Sequence, residues 1–589
     1  MNAERLLALY DRVADAPDAV GSLRRFVLDL AVRGKLVEQD PADEPASELL
    51  HRIAAERERL VEERVIRRPK PIEVLDEPPF AIPTSWKWTR LGELAELVRG
   101  VSFPASAKSS EPAEGLLPCL RSGNIQSSTE WDDLIYVPES VVKNADKLVK
   151  SGDVLISIAN SYALVGKCSI VSVVPYRATF GAFLAAIRFR FVLPEYAKSF
   201  LKSGFSSSAF RVGSSQTTNI ANITFSTIRG HPFPLPPLAE QRRIVAKVDE
   251  LMALCDRLGH ARVAREDTRD RLTQASLSRL SAPDADEATF RGQARFAVEA
   301  LRALTARIDQ VKHLRQAILS LAVRGKLVEQ DPADEPALEL LKRIAGVRAQ
   351  LGVKRGGKPP SANETPFRLP AGWHWSRLDA LCTKTGSGST PRGGKSVYKK
   401  AGIPFLRSQN VYDDGLRLAD VAFVGADVHA RMAGTAVAAR DLLLNITGGS
   451  MGRCCRVPDG FAEANVSQHV AIIRPAVPEM ADYLHKLVLS PYFQAFIFHK
   501  QTGAGRGGLP KNKMDRIAVA VPPLPEQHRI VGKVDELMAL CDRLEEARVV
   551  REGTRDRLLD SLLDEALLAD DATAERPTQF NWLPGGRHD

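Results

Sequence analysis

The sequence predicts a mixed α/β protein: two globular α/β domains joined by two long antiparallel, coiled-coil-like helical regions, arranged as a pseudo-two-fold internal repeat. Residues 236–258 return at 522–544 with three substitutions, and residues 30–46 return unchanged at 321–337. Apolar residues in the longer repeat recur at steps of three and four, a spacing that lays one helix along another. The chain therefore contains two versions of one design.

The composition is that of a packed protein with several domains. The chain has 589 residues, of which 44% are hydrophobic and 26% charged, and a formal charge of +9. That charge is compatible with a polyanionic partner but does not by itself indicate one. The seven cysteines form no CxxC pair, and the sequence shows neither a signal peptide nor a membrane-spanning segment. We expect a reduced, cytoplasmic protein.

The first region, residues 1–79, is predicted to be helical and to end in a linker. A helix is expected over residues 2–33, with a kink or break at Pro17. A shorter helix should follow the first copy of the unchanged repeat. Charged, proline-containing segments at 57–79 and 348–366 read as exposed linkers.

The globular domains are expected at residues 80–237 and 367–523. Short β-type runs separated by Gly, Pro, Ser and Asn indicate irregular sheets, for example at 153–158 and 441–446. Each domain opens with a Trp-x-Trp motif. We interpret these tryptophans as core residues rather than base-stacking residues: Trp86, Trp88, Trp373 and Trp375.

A central helical spacer and linker should occupy residues 238–366. Its first helix, from about 240 to 281, would be roughly 60 Å long. The Ser-Ala-Pro-Asp sequence at 281–284 should end it, and a return helix over 301–321 should pack antiparallel. The last region, residues 524–589, is predicted to form a helix that pairs with the N-terminal helix, followed by a loose tail from residue 571.

Motifs for catalysis are weak. The Gly388–Lys395 stretch resembles a phosphate loop but has five residues where that motif has four, so a loop near DNA phosphate or a simple turn fits better. The sequence Glu77-Pro-Pro-Phe80 resembles an amino-methyltransferase signature, but it lies in a linker. His469 and His485 lack metal-spaced partners, and Cys454-Cys455 is expected to pack beside a strand. These observations argue against a self-sufficient enzyme.

The repeats carry a family resemblance. The stretch Pro236–Val245 with its copy at 522–531, Leu321–Leu327 with its copy at 30–36, the Trp-x-Trp openings and Gly388-Ser-Thr-Pro391 resemble the specificity subunits of type I restriction–modification systems. One departure lies late in the second domain. The first domain has Gln-Thr-Thr-Asn-Ile at 216–220, whereas the second has a glycine-rich stretch at 503–508.

The resemblance implies a non-catalytic subunit that recognises DNA. Each globular domain would be a target recognition domain that reads one half of a bipartite, asymmetric site. Two methylation subunits would dock on the helical regions and bring S-adenosylmethionine, and restriction subunits would add ATP-dependent translocation and cleavage. A coiled-coil adaptor with two protein-binding heads is the alternative.

Polar residues on predicted turns are the candidates for DNA contact. The types that pair with base edges are Arg121, Asn124, Arg407, Gln409 and Asn410. A compact polar loop contains Gln216, Thr218 and Asn219. The residues assigned to phosphates are Lys167, Arg392, Lys395, Arg453, Arg506, Lys511 and Lys513. For each of them the alternative is a solvated surface charge or a turn former.

Overall fold

The computed structural model describes residues 16, 18–64, 66, 68, 71–73, 75, 77–216, 220–280, 287–353, 357–499 and 508–568. The chain divides into two compact units, Met1–Val263 with Glu552–Asp589, and Ala264–Arg551. Residues 2–15 of the helix predicted over 2–33, Pro17 with its predicted kink or break, and the tail from residue 571 lie outside the described residues.

The first unit begins with two helices that flank the unchanged repeat: α1 (Ala19–Val32) and α2 (Ala46–Glu62). Gly34 ends α1 with a φ of 70°, and the N–H of Lys35 donates to the carbonyl of Leu30 at 3.0 Å. A positive φ favours glycine, so the repeat places its glycine where the chain must leave the helix. Since α2 continues to Glu62, the linker that follows begins later than the sequence predicts.

The first globular domain combines short strands with short helices. Its elements are β1 (Lys87–Arg90), α3 (Leu91–Leu94), β2 (Ala95–Arg99), β3 (Leu116–Leu120), β4 (Ile135–Pro138), β5 (Val154–Ser157), β6 (Ala159–Asn160), β7 (Cys168–Ile170), β8 (Thr179–Phe180), β9 (Leu184–Phe189), α4 (Pro194–Lys202), α5 (Gly204–Val212), β10 (Ser215–Gln216), β11 (Ala221–Asn222), α6 (Phe225–Arg229) and β12 (Pro232–Leu235). The strand orders are β2-β9-β5-β7, β4-β3-β8, β10-β11-β6 and β1-β12.

The helical spacer follows this domain. Its elements are α7 (Leu238–Leu280), α8 (Glu287–Glu299), α9 (Leu301–Leu304), α10 (Ile308–Val323) and α11 (Ala337–Gln350). The single return helix that the periodicity predicts is therefore interrupted. The Thr305 hydroxyl donates to the carbonyl of Leu301 at 2.7 Å, and the side chain of Gln310 accepts the N–H of Arg307 at 3.1 Å. These local side-chain bonds satisfy backbone groups at the break between α9 and α10.

The predicted antiparallel packing in the middle of the chain is confirmed within the second unit. Leu277 and Leu280 of α7 share a buried cluster with Leu304. Earlier on α7, Asp270 accepts a hydrogen bond from Arg307 at 2.9 Å. Later positions on α7 thus meet earlier positions on the return segment, which is the antiparallel sense.

The second globular domain repeats the architecture of the first. Its elements are β13 (His374–Arg377), α12 (Leu378–Leu381), β14 (Cys382–Ser387), β15 (Ile403–Leu406), β16 (Val411–Tyr412), β17 (Gly415–Leu416), β18 (Ala422–Val424), α13 (Ala426–Arg431), β19 (Ala436–Val437), β20 (Leu442–Asn445), β21 (Cys454–Arg456), β22 (Ala464–Val466), β23 (Val470–Pro475), α14 (Ala481–Leu489), α15 (Pro491–His499), α16 (Lys511–Asp515) and β24 (Ala518–Val521). The main sheet has the order β14-β23-β20-β21, which matches β2-β9-β5-β7.

The C-terminal helix α17 (Leu524–Leu568) closes the described chain. In the first unit its Leu559, Leu562 and Leu563 pack with Ala16 and Ala19. The residues of the predicted seams are buried or half-buried on both long helices, with Ile244, Val248 and Cys255 on α7 matched by Ile530, Val534 and Cys541 on α17.

A buried ion pair fastens the central strands of each main sheet. Arg188 on β9 donates to Asp153 at 2.8 Å, and Arg474 on β23 donates to Asp441 at 2.7 Å. The two aspartates are 1% and 0% exposed. Removing one partner would leave a buried charge without compensation, which costs about 3–5 kcal/mol.

A buried carboxylate joins each domain to its long helix. Glu240 of α7 accepts the indole N–H of Trp86 at 2.8 Å and the side-chain N–H of Gln39 at 2.5 Å. The second unit repeats this arrangement, with Glu526 accepting from Trp373 at 2.9 Å and from Gln330 at 3.1 Å. We call these two sets the junctions.

The first junction makes stability depend on pH. Burial raises the pKa of Glu240 above its ordinary value of 4.5. A carboxyl group whose pKa is raised on folding contributes fully below its unfolded pKa, and that contribution is lost as pH rises through the folded pKa. We expect the stability lost in Glu240→Gln to be largest at and below about pH 4.5 and to shrink as the pH rises above it.

The measurement is the urea midpoint of tryptophan fluorescence across a pH series. Asp249→Asn, at an exposed position on the same helix, is the control and should shift the midpoint equally at every pH. A Glu240→Gln deficit that grew with pH would contradict the expectation.

Candidate nucleic-acid interface

Each main sheet brings several chain segments together at one end. Because β9 is antiparallel to β2 and β5, and β7 is antiparallel to β5, the ends of β2 and β5 meet the starts of β7 and β9. The second domain repeats this arrangement with β14, β20, β21 and β23. We call residues 99–101, 121–126, 157–167 and 181–183 tip 1, and residues 387–390, 407–412, 445–453 and 467–469 tip 2.

Close backbone packing forms both tips. A Cβ atom on Gly100 would lie 2.2 Å from the carbonyl oxygen of Gly181, and one on Gly388 would lie 1.9 Å from that of Val466. Only glycine permits such an approach, so Gly388 is held by packing against the neighbouring segment. The phosphate-loop-like stretch that starts at Gly388 is therefore a turn at the end of β14.

A short 3-10 turn carries the predicted base-reading residues of each domain. In the first, the Asn124 side chain accepts the N–H of Arg121 and donates to the carbonyl of Asp132, both at 2.8 Å. In the second, Asn410 accepts from Arg407 at 2.9 Å and donates to Arg417 at 2.8 Å.

Both asparagines are buried, 4% and 1% exposed, so this geometry favours a role in shaping the turn. Contact of Asn124 or Asn410 with a base stays a prediction, as it does for the other candidates. The side chain of Gln409, by contrast, is exposed on its turn.

The two arginines on these turns point towards neighbouring aspartates. Arg121 donates to the carbonyl of Asp133 at 2.6 Å and to its carboxylate at 2.9 Å. Arg407 donates to the carbonyl of Asp420 at 3.0 Å. Since these carbonyls belong to the segments that close the turns, each guanidinium is held in place beside its tip.

A second cation at each tip is held by a residue of the adjacent turn. Lys167 donates to the side chain of Gln126 at 2.6 Å. In tip 2 the guanidinium of Arg453 lies 4.7 Å from the ring centroid of Tyr412, and that of Arg417 lies 5.1 Å from the same ring. These are cation–π distances, so Tyr412 orders two positive charges.

Tip 2 also contains polar side chains that the sequence analysis does not select. Thr447 and His469 share a hydrogen bond of 2.7 Å, and Thr390 bonds Gln468. Only the fold brings these four residues together, because they come from three separated segments of the chain. Beside them, Lys511 donates to the hydroxyl of Thr385 on β14 at 3.0 Å.

The structure associates the remaining predicted residues less closely with the tips. Arg392 is exposed after tip 2, and Lys513 is half-buried on α16. Gln216 lies on β10, and Lys395 in a 3-10 turn, but their side chains are not among those described. Three candidates lie outside the described residues: Thr218, Asn219 and Arg506.

The tryptophan prediction is confirmed for the first member of each pair, since Trp86 and Trp373 are 2% and 6% exposed. The partly exposed Trp88 packs edge-on against Phe80, whose ring centroid lies 4.9 Å away. Phe80 of the Glu-Pro-Pro-Phe sequence therefore anchors the linker to the domain.

The cysteines are packing residues in this structure. All seven are free and buried. Burial raises the pKa of Cys168 to about 11 and that of Cys455 to about 12, which disfavours the thiolate form that binds metals. Across the described ranges, no group of three or more His, Cys, Asp or Glu residues is arranged to hold a metal ion.

Comparison with known proteins decides the family. Residues 83–264 match the model of the type I restriction modification DNA specificity domain. The chain is 30% identical to the Escherichia coli EcoAI specificity subunit over 574 residues, which cover 93% of this chain and 94% of the relative. The chain belongs to the family of type I restriction enzyme specificity subunits.

The chain is also similar to a second curated relative and to solved structures. The EcoEI specificity subunit of Escherichia coli is 29% identical over 93% of this chain and 94% of its own length. Among solved structures, the HsdS subunit from Thermoanaerobacter tengcongensis aligns with a TM-score of 0.41 and 18% identity, covering 84% of this chain and all of that chain. A chain from a study of assembly and conformational transition of the type I R-M system aligns with a TM-score of 0.47 and 18% identity, covering 83% and 99%.

The specificity subunit therefore has two equivalent tips with different side chains. Gln126 and Tyr412 occupy the same position relative to Lys167 and Arg453, yet one makes a hydrogen bond and the other a ring contact. Where it is described, the subunit contains no helix with the length and apolar character needed to cross a membrane.

The hydrogen bonds of Asn410 give a prediction that separates a role in shaping the turn from a role in contacting DNA. Asn410→Ala removes two hydrogen bonds of a buried side chain and leaves the N–H of Arg407 and the carbonyl of Arg417 without that partner, at about 1–3 kcal/mol. We expect amide exchange in segment 407–417 to accelerate roughly 10- to 100-fold without DNA, because local opening becomes easier.

Hydrogen–deuterium exchange with mass spectrometry measures this. Gln409→Ala, on the exposed side of the same turn, is the matched control and should leave exchange unchanged. Equal amide exchange in the wild type and in Asn410→Ala would contradict the role of Asn410 in shaping the turn.

Proposed function

We propose that this specificity subunit reads a bipartite, asymmetric site in double-stranded DNA, with one recognition domain on each half. The observation that carries the proposal is a contrast within the chain. Two stretches of the scaffold, residues 30–46 and 236–258, are repeated with three substitutions in all, whereas the two tips place different side chains on equivalent backbone positions. A repeated scaffold that carries two tips with different side chains fits a DNA site whose two halves differ in sequence.

The chemistry of the tips supports a nucleic-acid partner. Each tip presents arginine and a second cation, and Gln409 is exposed beside Arg407. Arginine pairs with guanine edges and glutamine with adenine edges in the major groove. We assign Lys167 and Arg453 to phosphates, with Arg392, Lys395, Lys511 and Lys513 as further candidates, because phosphate contacts set register rather than sequence.

The duplicated scaffold supports two equivalent protein partners. Exposed residues of α7, including Ala253, Leu254 and Arg257, recur as Ala539, Leu540 and Arg543 on α17. Packing requires the buried seam to be similar but places no such demand on exposed positions. We propose that two methylation subunits dock on these matched surfaces.

The remaining parts of the proposal follow from this role. The subunit itself is non-catalytic, S-adenosylmethionine is bound by the methylation subunits, and restriction subunits supply ATP-dependent translocation and cleavage. A cytoplasmic location follows from the DNA partner.

The length of α7 bears on the distance between the two half-sites. With 43 residues, α7 is about 65 Å long, which is longer than the roughly 34–36 Å between half-sites one turn apart. We propose that the length of this helix sets the spacing between the two half-sites.

Exchange of one domain tests modular reading. Replacing residues 80–237 with the corresponding segment of a relative should change one half of the selected site and leave the other half and the spacing unchanged. The measurement is sequencing of duplexes bound by the subunit with its methylation partners, selected from a random library. A change in both halves would end the modular interpretation.

Removal of single cations tests the phosphate assignment. We expect Lys167→Ala and Arg453→Ala each to reduce the slope of log affinity against log salt by about 0.9, without changing the preferred sequence. Lys342→Ala, on the exposed face of α11, should leave the slope unchanged. Two protein-binding heads, the adaptor alternative, would show no salt-dependent affinity for DNA at all.

A further inference from the structure

Tip 1 exposes three large apolar side chains. Tyr162 and Leu164 lie on the turn between β6 and β7 and are 48% and 47% exposed, and Phe183 precedes β9 and is 64% exposed. The two segments are adjacent, because the N–H of Ile158 donates to the carbonyl of Phe183 at 2.9 Å. The turn that carries Tyr162 and Leu164 and the segment that carries Phe183 therefore leave the same end of the main sheet.

Positively charged side chains lie on the neighbouring segments of the same end of the sheet. Arg99 is exposed at the end of β2, and Lys147 donates to the carbonyl of Gly100 at 3.4 Å. Arg121 and Lys167 complete the group on the adjoining turn and at the start of β7. Exposed apolar side chains with cations on neighbouring segments match a partner whose apolar groups are flanked by phosphates.

The second domain has different chemistry at the same places. The Ile446 N–H donates to the carbonyl of His469 at 3.0 Å, as Ile158 does to Phe183, so His469 occupies the position of Phe183. The turn after β20 is two residues shorter than the turn after β5 and contains Gly448 and Gly449. A protein that docks on both halves alike would meet matched surfaces, whereas these apolar side chains occur at positions where the halves differ.

We infer that Tyr162, Leu164 and Phe183 contact bases of the DNA half-site read by the first domain, through thymine methyl groups or exposed base faces. The inference rests on the proposed function and adds a mode of reading to it. Thymine methyls and base faces are the apolar groups that duplex DNA offers to a protein. In tip 2, His469 lies at the position of Phe183 and shares a hydrogen bond with Thr447, so a hydrogen-bonding group replaces the apolar ring there.

Apolar contact and phosphate contact respond differently to salt. Loss of a phosphate contact lowers the slope of log affinity against log salt, whereas loss of an apolar contact lowers affinity at every salt concentration. Phe183→Ala and Tyr162→Ala should each weaken binding of the selected site roughly tenfold with an unchanged salt slope. Phe183→Leu, which keeps an apolar group, should recover part of the affinity.

The experiment uses the full chain assembled with its methylation subunits. Wild-type protein first selects its site from random duplex DNA, and each variant is then titrated with that site and put through the same selection. The expected result is lost preference in one half only. Phe191→Ala is the matched control, since Phe191 is 47% exposed beyond the opposite end of β9, and it should bind like wild type.

The outcomes separate the two proposals. If wild-type protein enriches no split site, the proposed function fails. If it enriches a split site but Phe183→Ala and Tyr162→Ala bind it with wild-type affinity and selectivity, the apolar contact is overturned while the function stands. If the variants instead lose assembly with the methylation subunits, these side chains make a protein contact and the inference is likewise overturned.

Discussion

A buried carboxylate on each long helix accepts hydrogen bonds from a tryptophan and a glutamine, and the rest of the structure depends on this contact. The tryptophan lies immediately before the first strand of a recognition domain, and the glutamine belongs to the unchanged repeat. Burying a carboxylate is costly unless its oxygens are hydrogen bonded, so the three segments must meet together or not at all. Domain, repeat and helix are thereby fixed to one another within each unit.

The junction also explains the distribution of similarity along the chain. Glu240 and Glu526 lie in the Pro-Pro-Leu-x-Glu-Gln motif, and Gln39 and Gln330 lie in the unchanged repeat. Replacing the glutamate of the first motif or the glutamine of the repeat would leave a hydrogen-bond donor or acceptor unpaired in the interior. The tips lie at the far ends of strands held by their own buried ion pairs, so their side chains can differ while the junction stays the same.

Much of the fold could be predicted from the sequence because its strongest signals are local and repeated. The heptad spacing identified both long helices to within two residues of their observed starts, at Leu238 and Leu524. The sequence does not reveal the break between α9 and α10, because the hydrogen bond of Thr305 ends α9 and that of Gln310 caps the start of α10 without disturbing the apolar spacing. Periodicity reports which face is buried, and it does not report where backbone bonds stop.

The tips were less predictable because their composition is set by contacts between distant segments. Asn124 and Asn410 have the chemistry of base readers, yet burial commits both amides to the backbone. Phe183 and His469 gave no sequence signal, because their exposure depends on the pairing of β9 and β23 with strands far away in the chain. Residue type alone cannot distinguish a polar side chain that shapes a turn from one that faces solvent.

The cations of the tips show how two readers can diverge on one backbone. Lys167 is held by Gln126 and Arg453 by Tyr412, and each partner comes from the adjacent turn. A lysine in place of Arg453 would lose the planar stacking that a guanidinium makes on an aromatic ring. The cation and its neighbour are therefore coupled, so a change in how one tip contacts DNA requires substitutions at both positions. The buried ion pairs Asp153–Arg188 and Asp441–Arg474 keep the two main sheets alike while the tips differ.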